Sequence, residues 1–421
     1  MRHSLLALGL LLALVSAFAS PALAFNSNEI YQQNENRVFQ VRVLNRETGK
    51  KSSIGSGFIV GDGRQLATNY HVVSQVVSEP ELFYITYAGS DGREGQLKLL
   101  ALDVAHDLAL LGAEETLGDA IVMSPLPQSG APIYAMGNPL DLGLTIAVGT
   151  NGGILNQTDD SRILFSGSLN PGMSGGPTFN DRGEAIGINV STARNDISFI
   201  VPSRFLTELV ERGSEGFSED ADLMAEVARQ VLAYEKNYFE KVLAEDWPDL
   251  DLRRFRLPGA ISPTVRCWDN SAKLGAKARY RRFQIRCSNQ NHVYLDEDNQ
   301  FVGRLVYEYY WLESDELNPI QFYNLYESLN KDQIDTKLGR DIVTNFNCDT
   351  WFVEVSSQQL KSNLCRREYR EYPGMSDVLF TAALVGHADK GFFITLTATG
   401  VDFASTLPLI RRFLEHTQWQ P

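Results

Sequence analysis

At 421 residues the chain is too long for one ordinary domain, and usual domain sizes divide it into about two or three. A hydrophobic fraction of 43% supplies buried cores, while a formal net charge of -14 with no basic patch leaves little to neutralise phosphates. Nucleic acid and anionic membrane are thereby set aside as partners.

Arg2 and His3 precede an apolar run over 5–18 that ends near Ala22-Leu23-Ala24. This is the pattern of a secretory signal peptide with a small-residue cleavage site, and the run is short for a membrane span. The mature chain is expected to begin near Phe25 as an exported protein, periplasmic or secreted. No later segment is apolar for long enough to cross a bilayer.

Residues 38–43 alternate apolar and polar side chains, which predicts a half-buried strand. Gly55-Ser56-Gly57-Phe58-Ile59-Val60 reads as a tightly packed strand, and Gly61-Asp62-Gly63 as its hairpin turn. A second strand over 65–69 delivers Tyr70-His71-Val72-Val73, so His71 falls where a strand gives way to a short helical turn. A histidine among apolar neighbours is ordinarily a packed core residue. Asp107 changes that reading, because it immediately precedes the apolar strand that starts at Leu108, where a carboxylate can be half buried and aimed at an imidazole. Asp103 competes for this role but lies farther from the strand. His106 reads as an exposed neighbour without a role.

Residues 132–139 predict a strand ending in a Gly-Asn-Pro turn, with further strands at 145–149 and 163–167 and a hairpin from 184–191 and 197–202. Many short strands at regular spacing predict an all-β barrel or a pair of barrels. Among them lies Asn170-Pro171-Gly172-Met173-Ser174-Gly175-Gly176-Pro177-Thr178-Phe179-Asn180. A serine hydroxyl reacts only if a base takes its proton and donors hold the resulting oxyanion. Gly172 permits backbone angles that aim the Gly172 and Ser174 N–H groups at one spot, and Gly175 and Gly176 leave room for substrate. Taken alone, the stretch fits a Gly-rich turn equally well.

Residues 202–211 predict a closing helix, 213–220 a polar linker and 221–245 a connecting helix. Beyond 247, strand-like runs at 278–287, 301–312, 351–355, 378–384 and 392–397 alternate with helical patterns at 320–329 and 406–418. They predict an α+β domain with an antiparallel sheet. Cys267, Cys287, Cys348 and Cys365 all fall here, and an even number in an exported protein reads as two disulfides. Three connectivities are possible; the local pairs Cys267 with Cys287 and Cys348 with Cys365 are preferred, because each sits on neighbouring strand-like segments. The spacings lack the close Cys-x-x-Cys pairs that zinc takes, and His292, His387 and His416 are scattered. No metal or cofactor is expected. Tyr307, Tyr309, Tyr310 and Trp311 read as alternating core and surface aromatics of a sheet, and Arg366, Arg367 and Arg370 as a solvated edge.

Gly55-Ser56-Gly57-Phe58, Thr68-Asn69-Tyr70-His71-Val72-Val73, Asp107-Leu108-Ala109-Leu110, Gly137-Asn138-Pro139, the 170–176 stretch and Gly187-Ile188-Asn189 together resemble trypsin-like serine proteases of the chymotrypsin fold, most closely the HtrA type. The resemblance covers residues 36–205, in the order His, Asp, Ser. It implies two perpendicular six-stranded β-barrels with the site in the cleft between them. Carried over by position, Ser174 is the nucleophile, His71 the general base and then acid, and Asp107 the group that holds the imidazole tautomer. The Gly172 and Ser174 N–H groups form the oxyanion hole. Asn189, Val190 and Ser191 are expected to pair with substrate backbone as an edge strand.

Several departures limit the comparison. Met173 stands where digestive trypsins carry the acid that pairs with a freed N-terminus, so activation by clipping is not supported. The stretch aligned with the specificity-pocket floor, 165–169, offers Ser166 and Ser168 but no acid, which favours small or medium apolar side chains over Lys or Arg. Neither a PDZ module nor a long loop in the first barrel is evident. Residues 247–421 resemble no family.

The expected organisation is a signal peptide over 1–24, a double-barrel protease domain over 25–212, a linker and helix over 213–246, and a disulfide-containing α+β domain over 247–421. The expected function is an exported serine endopeptidase acting on polypeptide through a Ser-His-Asp triad and an acyl-enzyme. The alternative is a catalytically silent, protease-like scaffold whose C-terminal domain recruits a protein partner.

Overall fold

The computed structural model describes residues 26–155, 161–194, 197–213, 216–218, 220–271, 275, 278–289, 293–296, 301–329 and 338–420. The expected signal peptide, His292 and part of the 213–220 linker lie outside the described residues.

A short helix, α1 (Ser27–Asn34), opens the chain, closed at its start by a reciprocal cap between Asn26 and Glu29. Six strands follow: β1 (Val38–Asn45), β2 (Lys51–Val60), β3 (Gln65–Thr68), β4 (Phe83–Gly89), β5 (Glu94–Asp103) and β6 (Leu108–Gly112). They close a barrel in the order β1-β2-β3-β6-β5-β4. Helix α2 (Tyr70–Ser78) leaves β3 and carries His71. A second closed barrel, in the order β10-β11-β12-β9-β8-β7, is built from β7 (Pro132–Gly137), β8 (Thr145–Ile154), β9 (Ile163–Ser166), β10 (Pro177–Phe179), β11 (Ala185–Arg194) and β12 (Ile197–Pro202). Helix α3 (Ser203–Arg212) then packs back on the barrels, and α4 (Leu223–Ala244), capped by Asp222, leads into the second half.

The second half is α+β. Three strands, β13 (Asp249–Leu252), β14 (Phe255–Pro258) and, at the far end of the chain, β24 (Gln418–Trp419), form a small sheet. The main sheet is antiparallel and seven-stranded, using β15 (Val265–Asp269), β16 (Arg281–Asn289), β19 (Leu305–Glu313), β20 (Asn347–Val355), β21 (Gln358–Glu368), β22 (Ser376–Leu384) and β23 (Lys390–Val401) in the order β15-β16-β19-β23-β22-β21-β20. Beside it, β17 (Val293–Tyr294) pairs with β18 (Phe301–Val302). Cys267 and Cys287 stand directly opposite each other on β15 and β16 and are joined, as are Cys348 and Cys365 on β20 and β21.

Helix α6 (Phe403–His416) covers one face of the main sheet, where Tyr307 and Tyr309 pack edge-on and stacked against Phe413. Tyr310 lies on the other face, stacked on Phe393 at 4.3 Å beneath Tyr326 of α5 (Pro319–Leu329). The expected solvated edge needs one correction. Arg367 is buried, and its Nε and Nη2 both donate to Asp377 Oδ2, which sits among Tyr369 and the Gly400 N–H. A charge placed there is held only because it is paired and hydrogen-bonded.

One core crosses residue 212. Val227, Ala228 and Val231 of α4, together with Val293, Leu295, Val302, Val343 and Met375, pack with Tyr70, Val72, Val73 and Val77 of α2 and the first barrel's Phe39, Val41 and Leu111. The second barrel is filled separately by Ile133, Ala135, Ile163, Phe165, Ile186 and Ile200. No helix among the described residues is long and apolar enough to cross a membrane.

Candidate active site

The first barrel supplies an imidazole and a carboxylate already joined. His71 is the second residue of α2, where backbone N–H groups have no intrahelical partner. Its N–H donates to Asp107 Oδ1 (2.9 Å), and its Nδ1 meets Asp107 Oδ2 at 2.7 Å. The carboxylate thus grips the residue at two points. A carboxylate on Nδ1 places the proton there and leaves the Nε2 lone pair free. Asp107 is only 5% exposed and sits in the left-handed region at φ 59°, which Asp tolerates. Its carbonyl accepts from Asn69 Nδ2 (2.7 Å) and from the Tyr70 N–H (3.2 Å), tying the turn before β6 to the start of α2.

Asp103 is turned to a different purpose. It accepts from the His106 N–H and ring and from Arg212 of α3 (2.8 Å). Burial pushes the Asp103 carboxyl upward, but the His106 hydrogen bond and the charges of His106 and Arg212 outweigh it and hold its pKa below the ordinary value. His106 is not the exposed neighbour expected: it is half-buried and stacked on Phe205 at 3.7 Å.

The second barrel supplies the loop bearing Ser174. Gly172 lies at φ 94°, and a Cβ there would come within 2.4 Å of the Asn138 carbonyl, so glycine is required twice over. Ser56 of β2 fastens this loop to the first barrel. Its N–H donates to the Ser174 carbonyl (2.7 Å), its Oγ donates to the Gly172 carbonyl (2.7 Å), and that Oγ accepts from the Asn138 N–H (2.8 Å). The Leu140 N–H adds a bond to the Pro171 carbonyl (2.8 Å). Leu140 and Asp141 occupy the left-handed region in succession, at φ 51° and 60°, the kind of local strain that persists where the surroundings over-determine the backbone. Among the described residues the N–H groups of Gly172 and Ser174 have no acceptor within the chain. Two uncommitted backbone donors beside a serine are what a developing oxyanion requires.

The Ser174 hydroxyl donates to the Val190 carbonyl at 2.5 Å and makes no hydrogen bond to His71 among the described residues. The structure thus joins His71 to Asp107 and seats Ser174 on the loop that Ser56 fastens to the first barrel, with no serine–imidazole bond made among the described residues.

The expected edge-strand role of Asn189 is corrected. Asn189 is fully buried; its amide donates to the Met136 and Met173 carbonyls and accepts from Thr178, and its backbone pairs with Gly175 and Gly176. It is a clamp under the Ser174 loop, its side-chain and backbone polar groups committed within the protein. Beyond it, Ser191 pairs with Phe199 on β12. Ser168 is exposed in the loop after β9. Its neighbours are fixed by Ser198, whose Oγ donates to the Gly167 carbonyl (2.9 Å) and accepts from the Leu169 N–H (3.1 Å). The sequence reading missed Ser56, Ser198 and the clamp at Asn189. Their common signal is a polar residue inside a strand pattern, which a buried hydrogen bond explains.

Residues 55–188 match the model of the trypsin-like peptidase domain. The chain is 30% identical over 185 residues to a probable periplasmic serine endoprotease, DegP-like, of Marinomonas sp. (strain MWYL1), covering 39% of this chain and 36% of that one. It is 31% identical over 176 residues to the mitochondrial serine protease HTRA2 of Drosophila erecta, covering 39% and 40%. The crystal structure of the serine endoprotease from Yersinia pestis aligns with 28% identity and a TM-score of 0.40, over 44% of this chain and 66% of that one. The chain therefore spans well under half the length of these curated relatives. The double barrel and the 55–188 match define a trypsin-like peptidase domain. Over that domain the chain is similar to proteases named as DegP-like and HTRA2.

Proposed function

We propose that the protein is an exported serine endopeptidase. The observation that carries this reading is the His71–Asp107 pair, at 2.7 Å, together with a serine loop whose Gly172 and Ser174 N–H groups are uncommitted among the described residues. In the reaction, His71 Nε2 takes the Ser174 proton as Oγ bonds to the carbonyl carbon of a peptide, and the oxygen that gains the electron pair sits on those two N–H groups. Collapse breaks the C–N bond, His71 returns the proton to the leaving amine, and an acyl-enzyme remains. Water, deprotonated by the same imidazole, releases the second product. Asp107 keeps the Nδ1 proton in place and stabilises the imidazolium. Substrate is polypeptide, passing the 190–191 segment of β11. Residues 247–421 are the candidate surface for a protein partner. Export is supported by the leader pattern over 1–24, by two disulfides and by a relative named as periplasmic.

A second reading, a silent protease-like scaffold, draws on the Ser174 hydroxyl resting on the Val190 carbonyl. Hydroxyls change rotamer readily, and resting catalytic geometry is often loose, so the protease reading stands first. Treating the whole folded chain with a fluorophosphonate and measuring its intact mass separates the two. One adduct that disappears in Ser174→Ala supports the protease, and a folded chain that never reacts supports the scaffold.

A further inference from the structure

We propose that Tyr294, carried by the second half of the chain, is a positioning residue for His71, so that the catalytic centre is completed across the two halves. The inference rests on the protease reading above.

Tyr294 lies on β17, in the small ladder with β18 that stands outside the main sheet. Its flanking Val293 and Leu295, and Val302 across the ladder, are buried in the first barrel's core. The Tyr294 ring meets the His71 imidazole edge-to-face, with centroids 5.8 Å apart at 66°, and meets Tyr70 at 6.0 Å and 71°. Tyr70, 1% exposed, donates from its hydroxyl to the Leu295 carbonyl at 2.8 Å. The Tyr294 hydroxyl lies 3.4 Å from Ser74 Oγ, which in turn donates to the His71 carbonyl at 3.3 Å. The first turn of α2 is therefore held from outside the barrel by ring packing and by two hydroxyl contacts.

Asp107 is braced from the same side. Gln230 of α4 donates to the Leu102 carbonyl (3.0 Å) and accepts from the Val104 N–H (2.9 Å), straddling Asp103 where the turn to Asp107 begins. Both members of the pair that must stay aligned thus receive support from residues beyond 212, while among the described residues the Ser174 hydroxyl bonds to Val190 of its own barrel. An imidazole that takes a proton from one side and delivers it to another needs its plane fixed. Asp107 fixes one edge; the tilt about that edge is limited by whatever packs on the ring. A displacement of about 1 Å at a catalytic group can lower a rate by about 100-fold.

The test uses the full chain and the rate of Ser174 acylation by a fluorophosphonate, with Tyr294→Ala, Tyr294→Phe and Tyr294→Leu. Tyr294→Ala is expected to slow acylation by about 10- to 100-fold, and Tyr294→Phe, which keeps the ring, to restore it. The His71 Cε1 proton, followed by NMR, is expected to lose its ring-current shift in Tyr294→Ala and keep it in Tyr294→Phe. If Tyr294→Ala does not fold, Tyr294→Leu carries the same readout. Wild-type acylation in a folded Ala or Leu variant would overturn the proposal, as would a Phe variant as slow as Ala. A wild-type chain that never reacts would sink the protease reading, and the positioning role with it; the NMR shift would then still register the contact, which separates the two failures.

Discussion

The two barrels share out the three residues of the proposed triad and are supported differently. The first carries His71 and Asp107 and shares its core with α4 and with the 293–302 region of the second half. The second carries Ser174; its interior cluster is lined by its own strands and loops, and a further cluster joins it to the first barrel through Met136, Ile188 and Val201 with Phe58, Val60 and Leu108. His71 and Asp107 are held by contacts 126 and 220 positions away, whereas Ser174 rests on local glycine geometry and on Ser56 reaching across from β2. Residues beyond 212 are therefore structural parts of the first barrel.

The sharpest way to break this comparison is to end the chain at residue 213. That removes Val227, Val231, Val293, Leu295, Val302 and Met375 from the shared core. The fragment is expected to show no cooperative thermal transition by circular dichroism. A fragment that melts cooperatively and reacts with the fluorophosphonate would mean that the first barrel stands alone.

Asp107→Asn comes next. The fold should persist while kcat toward a peptide substrate falls by about 10⁴, because the wrong tautomer is presented to the serine. Arg367→Met follows, leaving Asp377 buried without its cation; such losses run to about 3–5 kcal/mol. Because the core is shared, urea should unfold the active site of this variant at the same lowered midpoint as the second half. Two separate transitions would contradict that.

Smaller effects test the join between the barrels. Ser56→Ala removes bonds to Gly172 and Asn138 and should cost about 1–3 kcal/mol in a denaturant melt, with a fall in kcat as the oxyanion donors loosen. The smallest effect concerns Asp103, whose folded pKa is lowered from 3.8. A depressed carboxylate contributes stability that is present above 3.8 and is lost as pH falls through the folded value. The melting temperature of the native chain should therefore drop more steeply as pH falls below about 4 than that of Asp103→Asn.

The triad candidates were legible in the sequence because each sits in a short local pattern: a histidine after a strand, an acid before one, and a serine among glycines. The double barrel was legible from short strands at even spacing, although β4 and β5 were not singled out, since residues 94–103 carry a leucine pattern that does not alternate. Supporting residues were hidden for a physical reason. Ser56, Gln230 and Tyr294 act on partners 116, 126 and 220 positions away, and no periodicity records such a contact. Asn189 was misread because a polar residue on a strand looks solvent-facing until its burial is known. Arg367 was misread in the same way, because its pairing with Asp377 depends on the register of β21 with β22.

The most direct test of the account is a crystal structure of the full chain after reaction with a peptidyl phosphonate. The account predicts phosphorus bonded to Ser174 Oγ, a phosphoryl oxygen on the Gly172 and Ser174 N–H groups, and His71 still paired with Asp107 beneath Tyr294. An adduct on another residue, or a Ser174 adduct whose oxygen points away from those two N–H groups, would contradict it.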